Sequence, residues 1–264
     1  MKELRRAISK PPRGPGEPAG IEGPNLVREA IRTNLTLPAI FVTQGSEHLL
    51  DELFIPSETE VLAVPSALLN SALATETPQP IAALVEPRAW EWQHLLSGRR
   101  NAAPLLVILA GLQDPGNVGT ILRSAEAFGA TGVVSLPGTV SAWNPKAVRA
   151  SAGSIFRIPA LTATIEECAL RLHGHGVTLW TTATQRAKEI HRADLTRPTA
   201  IIIGNEGNGV PEEVAAKADG ALTILYPGPV ESLNAAIAAS VLLYEAARQR
   251  AAAPASLQRQ RSTQ

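Results

Sequence analysis

Ala200–Val210 reads AIIIGNEGNGV. An apolar run ends at Gly204, and further glycines follow at 207 and 209. A continuous apolar run is expected for a strand buried on both faces. A permissive turn at the carboxyl end of such a strand is where open α/β sheets bind ligands. The glycines admit positive φ and a close approach of backbone to a ligand. Their order, G-x-x-G-x-G, matches neither the dinucleotide fingerprint G-x-G-x-x-G nor a P-loop. Spacing alone therefore leaves two readings open, a ligand cradle and a turn that only closes a strand.

Working outward, two other loops share this grammar. Gly111–Gly119 (GLQDPGNVG) follows the apolar run Pro104–Ala110, and Pro227–Asn234 (PGPVESLN) follows Ala221–Tyr226. Each leads into a helical pattern, so the three together suggest one composite site at the end of a parallel sheet. Asn117 and Ser232 each suit a helix N-cap as well as a site. Arg123, six residues after Asn117, has two readings: a surface ion pair with Glu126, or a contact to a substrate oxygen. Amide donors at the start of the last helix would also suit an anion or carboxylate.

Around these loops the chain alternates strands and helices. Strands are expected at Pro104–Ala110, Val133–Leu136, Ser154–Pro159, Val177–Thr182, Ala200–Ile203 and Ala221–Tyr226, with helices at 117–128, 144–151, 164–173, 211–218 and 232–250. This βα alternation predicts a parallel sheet covered on both faces. In the last helix Leu233, Ile237, Val241 and Tyr244 mark one apolar face, for burial under the sheet or for a second subunit. Upstream, strands at Ala39–Thr43, Glu60–Val64 and Ile81–Val85 alternate with helices at 25–32, 47–54 and 66–73, giving a separate small α/β domain over 21–96. Residues 97–103 form the expected linker, 1–20 (with PPRGPGEP) a flexible leader and 251–264 a fraying tail. Trp90 and Trp92 fit packing at the domain junction better than stacking on bases.

Composition narrows the class. The 264 residues carry 24 Lys/Arg and 24 Asp/Glu, so no global charge announces a polyanion. Residues 1–96 sum to −4 and 97–264 to +4, while Lys2, Arg5, Arg6, Lys10 and Arg13 form a basic tip that suits either phosphate contact or solubility. The single cysteine, Cys168, precludes an intrachain disulfide, faces a core by pattern and fits a reducing cytoplasm. No secretory h-region opens the chain, and no apolar run reaches the roughly 18 residues a membrane span needs. His173-Gly-His175 lacks partners for a metal site, and no Ser/His/Asp arrangement is evident.

Three separated motifs resemble the catalytic domain of the SpoU family of RNA ribose 2′-O-methyltransferases, in the SPOUT class. They are NVGTILRSAEAFGA (Asn117–Ala130), AIIIGNEGNGV and ILYPGPVESLNAAIAASVLLYEA (Ile224–Ala246), in the family's order over about 104–250. Ile21–Ile31 (IEGPNLVREAI) resembles the start of the L30e-like substrate-binding domain that many such enzymes carry. The resemblance implies an L30e-like α/β domain followed by an α/β domain with a parallel sheet and a carboxyl-terminal deep trefoil knot. It implies S-adenosyl-L-methionine as cofactor, held at Gly204, Ile224 and Leu233. Asn117, Arg123, Glu206, Ser232 and Asn234 fall on the catalytic and structural polar positions. It implies a homodimer acting on RNA, with ribosomal RNA favoured over tRNA. A non-catalytic RNA-binding module is the alternative from another class, while an oxidoreductase lacks its fingerprint. Pro227 stands two residues later than in many relatives, which bears on the shape of the cofactor pocket.

Overall fold

The structure, a computed structural model, describes residues 1–12, 14, 16–73, 75–97, 103–183, 187–205 and 207–253. They form two compact units, Met1–Ala89 with Ser141–Arg157, and Trp90–Val140 with the chain from Ile158 onward.

The first unit begins with a helix, α1 (Lys2–Ser9), in place of the expected flexible leader. Leu4, Ala7 and Ile8 recur at helical spacing and pack against Phe41, Leu69 and Leu73. Burying Leu4 and Ile8 together is worth roughly 3–6 kcal/mol, enough to hold a two-turn helix that would not persist alone. The basic tip is partly spent inside the unit, with Arg5 donating to the Ser71 hydroxyl at 3.0 Å and Arg6 pairing with Glu17. The chain continues through β1 (Ala19–Glu22), α2 (Pro24–Arg32), β2 (Ala39–Thr43), β3 (Glu60–Val64), α3 (Ser66–Asn70) and β4 (Ile81–Val85). The sheet order is β1-β4-β2-β3, with only the β2–β3 pair parallel. Ala39, Phe41, Ala82 and Leu84 face α1 and α3. Their alternates, Ile40, Val42, Ile81 and Ala83, point to the opposite face, where α2 packs on β1 and β4. The helix expected over Glu47–Phe54 is a short 3-10 turn, Glu47–Leu50, with no buried residue to anchor a longer one.

The second unit opens with α4 (Trp92–Leu96), β5 (Leu105–Ala110), α5 (Pro115–Ala127) and β6 (Gly132–Ser135). Trp92 packs against the core and its indole N–H donates to Glu167 at 2.7 Å. Ser141–Arg157, part of the second domain by sequence pattern, instead belongs to the first unit. It carries α6 (Pro145–Ser151), started by the Asn144 side chain, which accepts from the Lys146 N–H at 2.9 Å. Ala152 and Gly153 then take left-handed backbone at φ 49° and 84°. A Cβ on Gly153 would lie 3.1 Å from the Cβ of Glu29 in α2. This reversal forms a 3-10 turn over Ser154–Phe156 in place of the strand expected over Ser154–Pro159; β7 is Ala160–Thr162.

The remaining elements are α7 (Ile165–Gly174), β8 (Thr178–Thr182), β9 (Lys188–Glu189), β10 (Thr199–Gly204), α8 (Glu212–Ala215), β11 (Gly220–Thr223) and α9 (Ala235–Ala252). All strands of the second sheet are parallel, in the order β7-β6-β5-β10-β8-β11-β9. Leu106, Ile108, Leu179, Ala200 and Ile202 meet Cys168 and Leu172 of α7 on one face. α9 lies against α5 and β10. It buries Ala235, Ala236, Ala239, Leu242, Leu243 and Ala246, not the stripe expected from the sequence. Ile237 and Tyr244 of that stripe are each 56% exposed. Small residues win the buried side because α5 comes close enough for Ser124 and Ser240 to bond at 2.7 Å. At the far end of α9, Arg250 donates to the backbone carbonyls of Ala103, Pro104, Leu195 and Arg197. Burial pushes the pKa of its guanidinium down to about 10, so it stays protonated at neutral pH and ties three distant segments together.

Candidate functional site

The topology of the second sheet fixes where a ligand can sit. From β5 the chain builds outward through β6 and β7, then returns to place β10 on the other side of β5. Ala110 and Gly204 pair at the carboxyl ends of these neighbours. Such a reversal of strand order opens a crevice beyond the strand ends. The loops Gly111–Gly119 and Gly204–Gly209 both start there. Beside them, at the ends of β8, β10 and β11, lies a cleft of about 600 Å³.

The Gly204–Gly209 turn is held by backbone and by one amide. Asn205 and Gly209 exchange N–H···O bonds at 3.0 and 2.9 Å. The Asn205 Oδ1 accepts from the N–H groups of Gly207 and Asn208 at 2.7 and 3.2 Å, and its Nδ2 donates to the Gly111 carbonyl at 3.4 Å. Asn205 thus joins the first loop to the second, a role that sequence reasoning missed. The signal for it is local: an Asn two residues before a Gly favours such a side-chain-to-backbone turn. A Cβ at Gly204 would come within 2.2 Å of the Gly209 carbonyl carbon, so the turn itself demands glycine there. Glu206 lies outside the described residues.

The first and third loops meet through two amides. Asp114, not Asn117, caps α5, its side chain accepting from the Gly116 N–H at 2.9 Å. Asn234, not Ser232, caps α9, accepting from the Ala236 and Ile237 N–H groups at 2.9 and 3.2 Å. With the α5 cap supplied by Asp114, Asn117 turns its Oδ1 to Asn234 and accepts from Nδ2 at 3.1 Å. The third loop is braced by the Tyr226 hydroxyl, which donates to the Glu231 carbonyl at 3.1 Å.

The expected residues therefore divide. Gly204, Ile224, Ser232 and Leu233 all line the cleft. Asn117 and Asn234 stand beside each other and outside its lining. Arg123 projects from α5, exposed, with no hydrogen-bond or ion-pair partner among the described residues, and does not line the cleft. Among the described residues no cluster of His, Cys, Asp or Glu could hold a metal ion. No helix among them is long and apolar enough to cross a membrane.

The cleft lies in the range of about 300–1,000 Å³ usual for cofactor sites. Apolar walls from Ile203, Leu222, Ile224, Leu233 and Leu242 suit a base and an aliphatic chain. Asn205, Gly207, Asn208, Gly209 and Ser232 supply its polar edges. Fold and cleft together define a parallel α/β protein with a cofactor-sized cleft beside a topological switch point. The family model "SpoU rRNA Methylase family" matches residues 104–244, and the model "RNA 2′-O ribose methyltransferase substrate binding" matches residues 21–90. The chain belongs to the SpoU rRNA methylase family. It is 32% identical over 248 residues to the 23S rRNA (guanosine(2553)-2′-O)-methyltransferase RlmP of Bacillus subtilis, covering 92% of this chain and 94% of that one. Its fold matches the crystal structure of the SpoU methyltransferase AviRb from Streptomyces viridochromogenes in complex with AdoMet, at TM-score 0.81 and 26% identity over 96% of this chain and 98% of the other. A structure concerned with 2′-OH methylation of C/U34 on tRNA matches at TM-score 0.51 and 28% identity, over 57% of this chain and 99% of its own. The protein is an S-adenosylmethionine-dependent RNA ribose 2′-O-methyltransferase.

Proposed function

We propose that the chain methylates a ribose 2′-hydroxyl of ribosomal RNA in the large subunit, acting as a cytoplasmic homodimer. The observation that carries the chemistry is the one cleft onto which Gly204, Ile224, Ser232 and Leu233 all open. Ribosomal RNA is favoured because residues 21–90 match a substrate-binding model and the likeness to RlmP runs through both units. The tRNA-directed structure shares only 57% of the chain. A carboxyl-terminal trefoil knot belongs to the same reading, supported by the way the Gly204–Gly209 turn and residues 224–233 wall one cleft. The dimer is supported by the outward apolar face of α9, where Ile237 and Tyr244 stand exposed.

Gly204, Ile224 and Leu233 would hold the cofactor, which supplies an electrophilic methyl group on a sulfonium. A ribose hydroxyl is a weak nucleophile at neutral pH, so its proton must leave in the transition state. Arg123 would orient the target ribose through its phosphate or hydroxyl and assist that loss. An arginine holds its own proton to a pKa above ~12, so pairing with phosphate and exclusion of water must supply the assistance. Arg123 is exposed on α5, the helix that packs against α9, and is open to a substrate arriving from solvent. Asn117 and Asn234 fix the first and third loops against each other. Glu206 is assigned as a structural acceptor.

Incubation with labelled S-adenosylmethionine and, separately, ribosomal RNA or tRNA, followed by mapping of the labelled nucleotide, tests this reading. Label on a ribose of 23S rRNA is expected. Label confined to tRNA would overturn the target, and no label on either would favour a non-catalytic RNA-binding protein.

A further inference from the structure

The first unit holds eleven Lys/Arg and eleven Asp/Glu, so its charge sums to zero. The two signs are nevertheless segregated. Residues 24–36 and 141–157 carry Arg28, Arg32, Lys146, Arg149 and Arg157 against a single carboxylate, Glu29. Glu29 is where the two segments meet: Arg157 Nη1 pairs with its Oε2 at 2.5 Å, Arg32 Nη1 stands 3.4 Å from its Oε1, and Gly153 packs on its Cβ. The side chain of Arg32 is 71% exposed and Arg149 is exposed. Arg88 donates to the Thr33 carbonyl nearby, but Glu86 beside Thr36 offsets its charge. Residues 44–60, leading into the sheet-edge strand β3, carry Glu47, Asp51, Glu52, Glu58 and Glu60 and no Lys or Arg.

We infer that the α2–α6 face of the first unit is the RNA-phosphate track of this enzyme, and that α6 is half of it. The inference rests on the reading of this chain as an RNA methyltransferase. It names a surface that the two-segment layout of the sequence conceals, because α6 lies in the stretch that matches the methylase model and not in the one that matches the substrate-binding model. A net of four positive charges over these two segments, with a carboxylate-rich segment elsewhere in the same unit, gives a field that draws a polyanion to them, whereas the basic tip on α1 is partly engaged by Ser71 and Glu17. Phosphate contacts of this kind supply affinity without reading sequence, and each one shows in the salt dependence of binding.

The test is binding of the full-length protein to ribosomal RNA across a salt series. Every phosphate that the protein ceases to neutralise lowers the slope of log affinity against log salt by roughly 0.7–0.9. Arg32→Gln with Arg149→Gln is expected to flatten the slope by about 1.5 and to weaken binding, while cofactor affinity and melting temperature stay unchanged. Glu47→Gln with Asp51→Asn is expected to leave binding unchanged or tighten it. A folded Arg32→Gln/Arg149→Gln protein with the wild-type affinity and slope would overturn the track. Failure of the wild-type enzyme to methylate any RNA would instead overturn the underlying reading, so the two outcomes separate.

Discussion

Asn234 uses both ends of its amide: Oδ1 closes the first turn of α9, and Nδ2 donates to Asn117 Oδ1 at 3.1 Å. One side chain therefore sets both the start of the last helix and the position of the first loop. Asn234→Ala should lower stability by about 1 kcal/mol through removal of the cap and should also lower methyl transfer. Asn234→Asp keeps a good cap but cannot donate to Asn117, so it should retain the melting temperature while kcat falls. Equal losses of activity and stability in both variants would mean the amide pair matters only for folding.

Asn205→Ala removes the acceptor for two N–H groups and the link to Gly111. Cofactor affinity should drop about tenfold, equivalent to roughly 1.4 kcal/mol, with the fold retained. Calorimetric titration with S-adenosylmethionine checks this. Gly204→Ala should be worse, because the new methyl would collide with backbone at Gly209 that cannot retreat without opening the turn.

Arg123→Ala should bind cofactor normally, since Arg123 does not line the cleft, and should lose methyl transfer by at least about tenfold. Arg123→Lys should not restore it, because an ammonium cannot present the same planar fork to phosphate. Wild-type turnover in Arg123→Ala would remove the residue from the mechanism.

Ile237 is 56% exposed on the outward face of α9, and Tyr244 on the same helix meets Phe128 edge-on at 5.9 Å. Ile237→Glu should leave the subunit folded but monomeric in sedimentation and should cost activity. An unchanged sedimentation coefficient would exclude this face from the dimer.

Cys168 is fully buried, and burial pushes the pKa of its thiol up from an ordinary 9.0 to about 12. It should resist thiol reagents at about pH 8 in the native protein and react fully once unfolded. The unfolded thiol ionises first, so its contribution to stability should fall as pH rises from about 9 towards 12. Cys168→Ala, apart from its constant cavity cost, should lack that slope.

The sequence is most legible where one strand carries its own burial pattern. Leu105–Ala110 and Thr199–Gly204 are apolar nearly throughout because helices cover both faces, and each lies within a residue of where its pattern puts it. It is least legible where partners come from afar. Leu4 and Ile8 look like part of a charged leader until Leu69 and Phe41 are brought to them. α9 carries apolar residues on several sides, so periodicity favours its larger ones, whereas the close approach of α5 selects the alanines. In the site, the glycines and amides are visible in the sequence but their division of labour is not. Which residue caps each helix decides whether Asn117 can meet Asn234, and Asp114 is an equally good cap on paper.

The interleaving of the two units governs the order in which the protein can be made. Translation delivers β1 to β4 first, yet their unit lacks α6 until β5, α5 and β6 of the other have been synthesised. The second unit in turn waits for α9, whose Arg250 gathers carbonyls of Ala103, Pro104, Leu195 and Arg197. Neither unit folds from one unbroken stretch of the growing chain. The first unit can close once α6 and the turn to Arg157 have emerged, and the second only once α9 has.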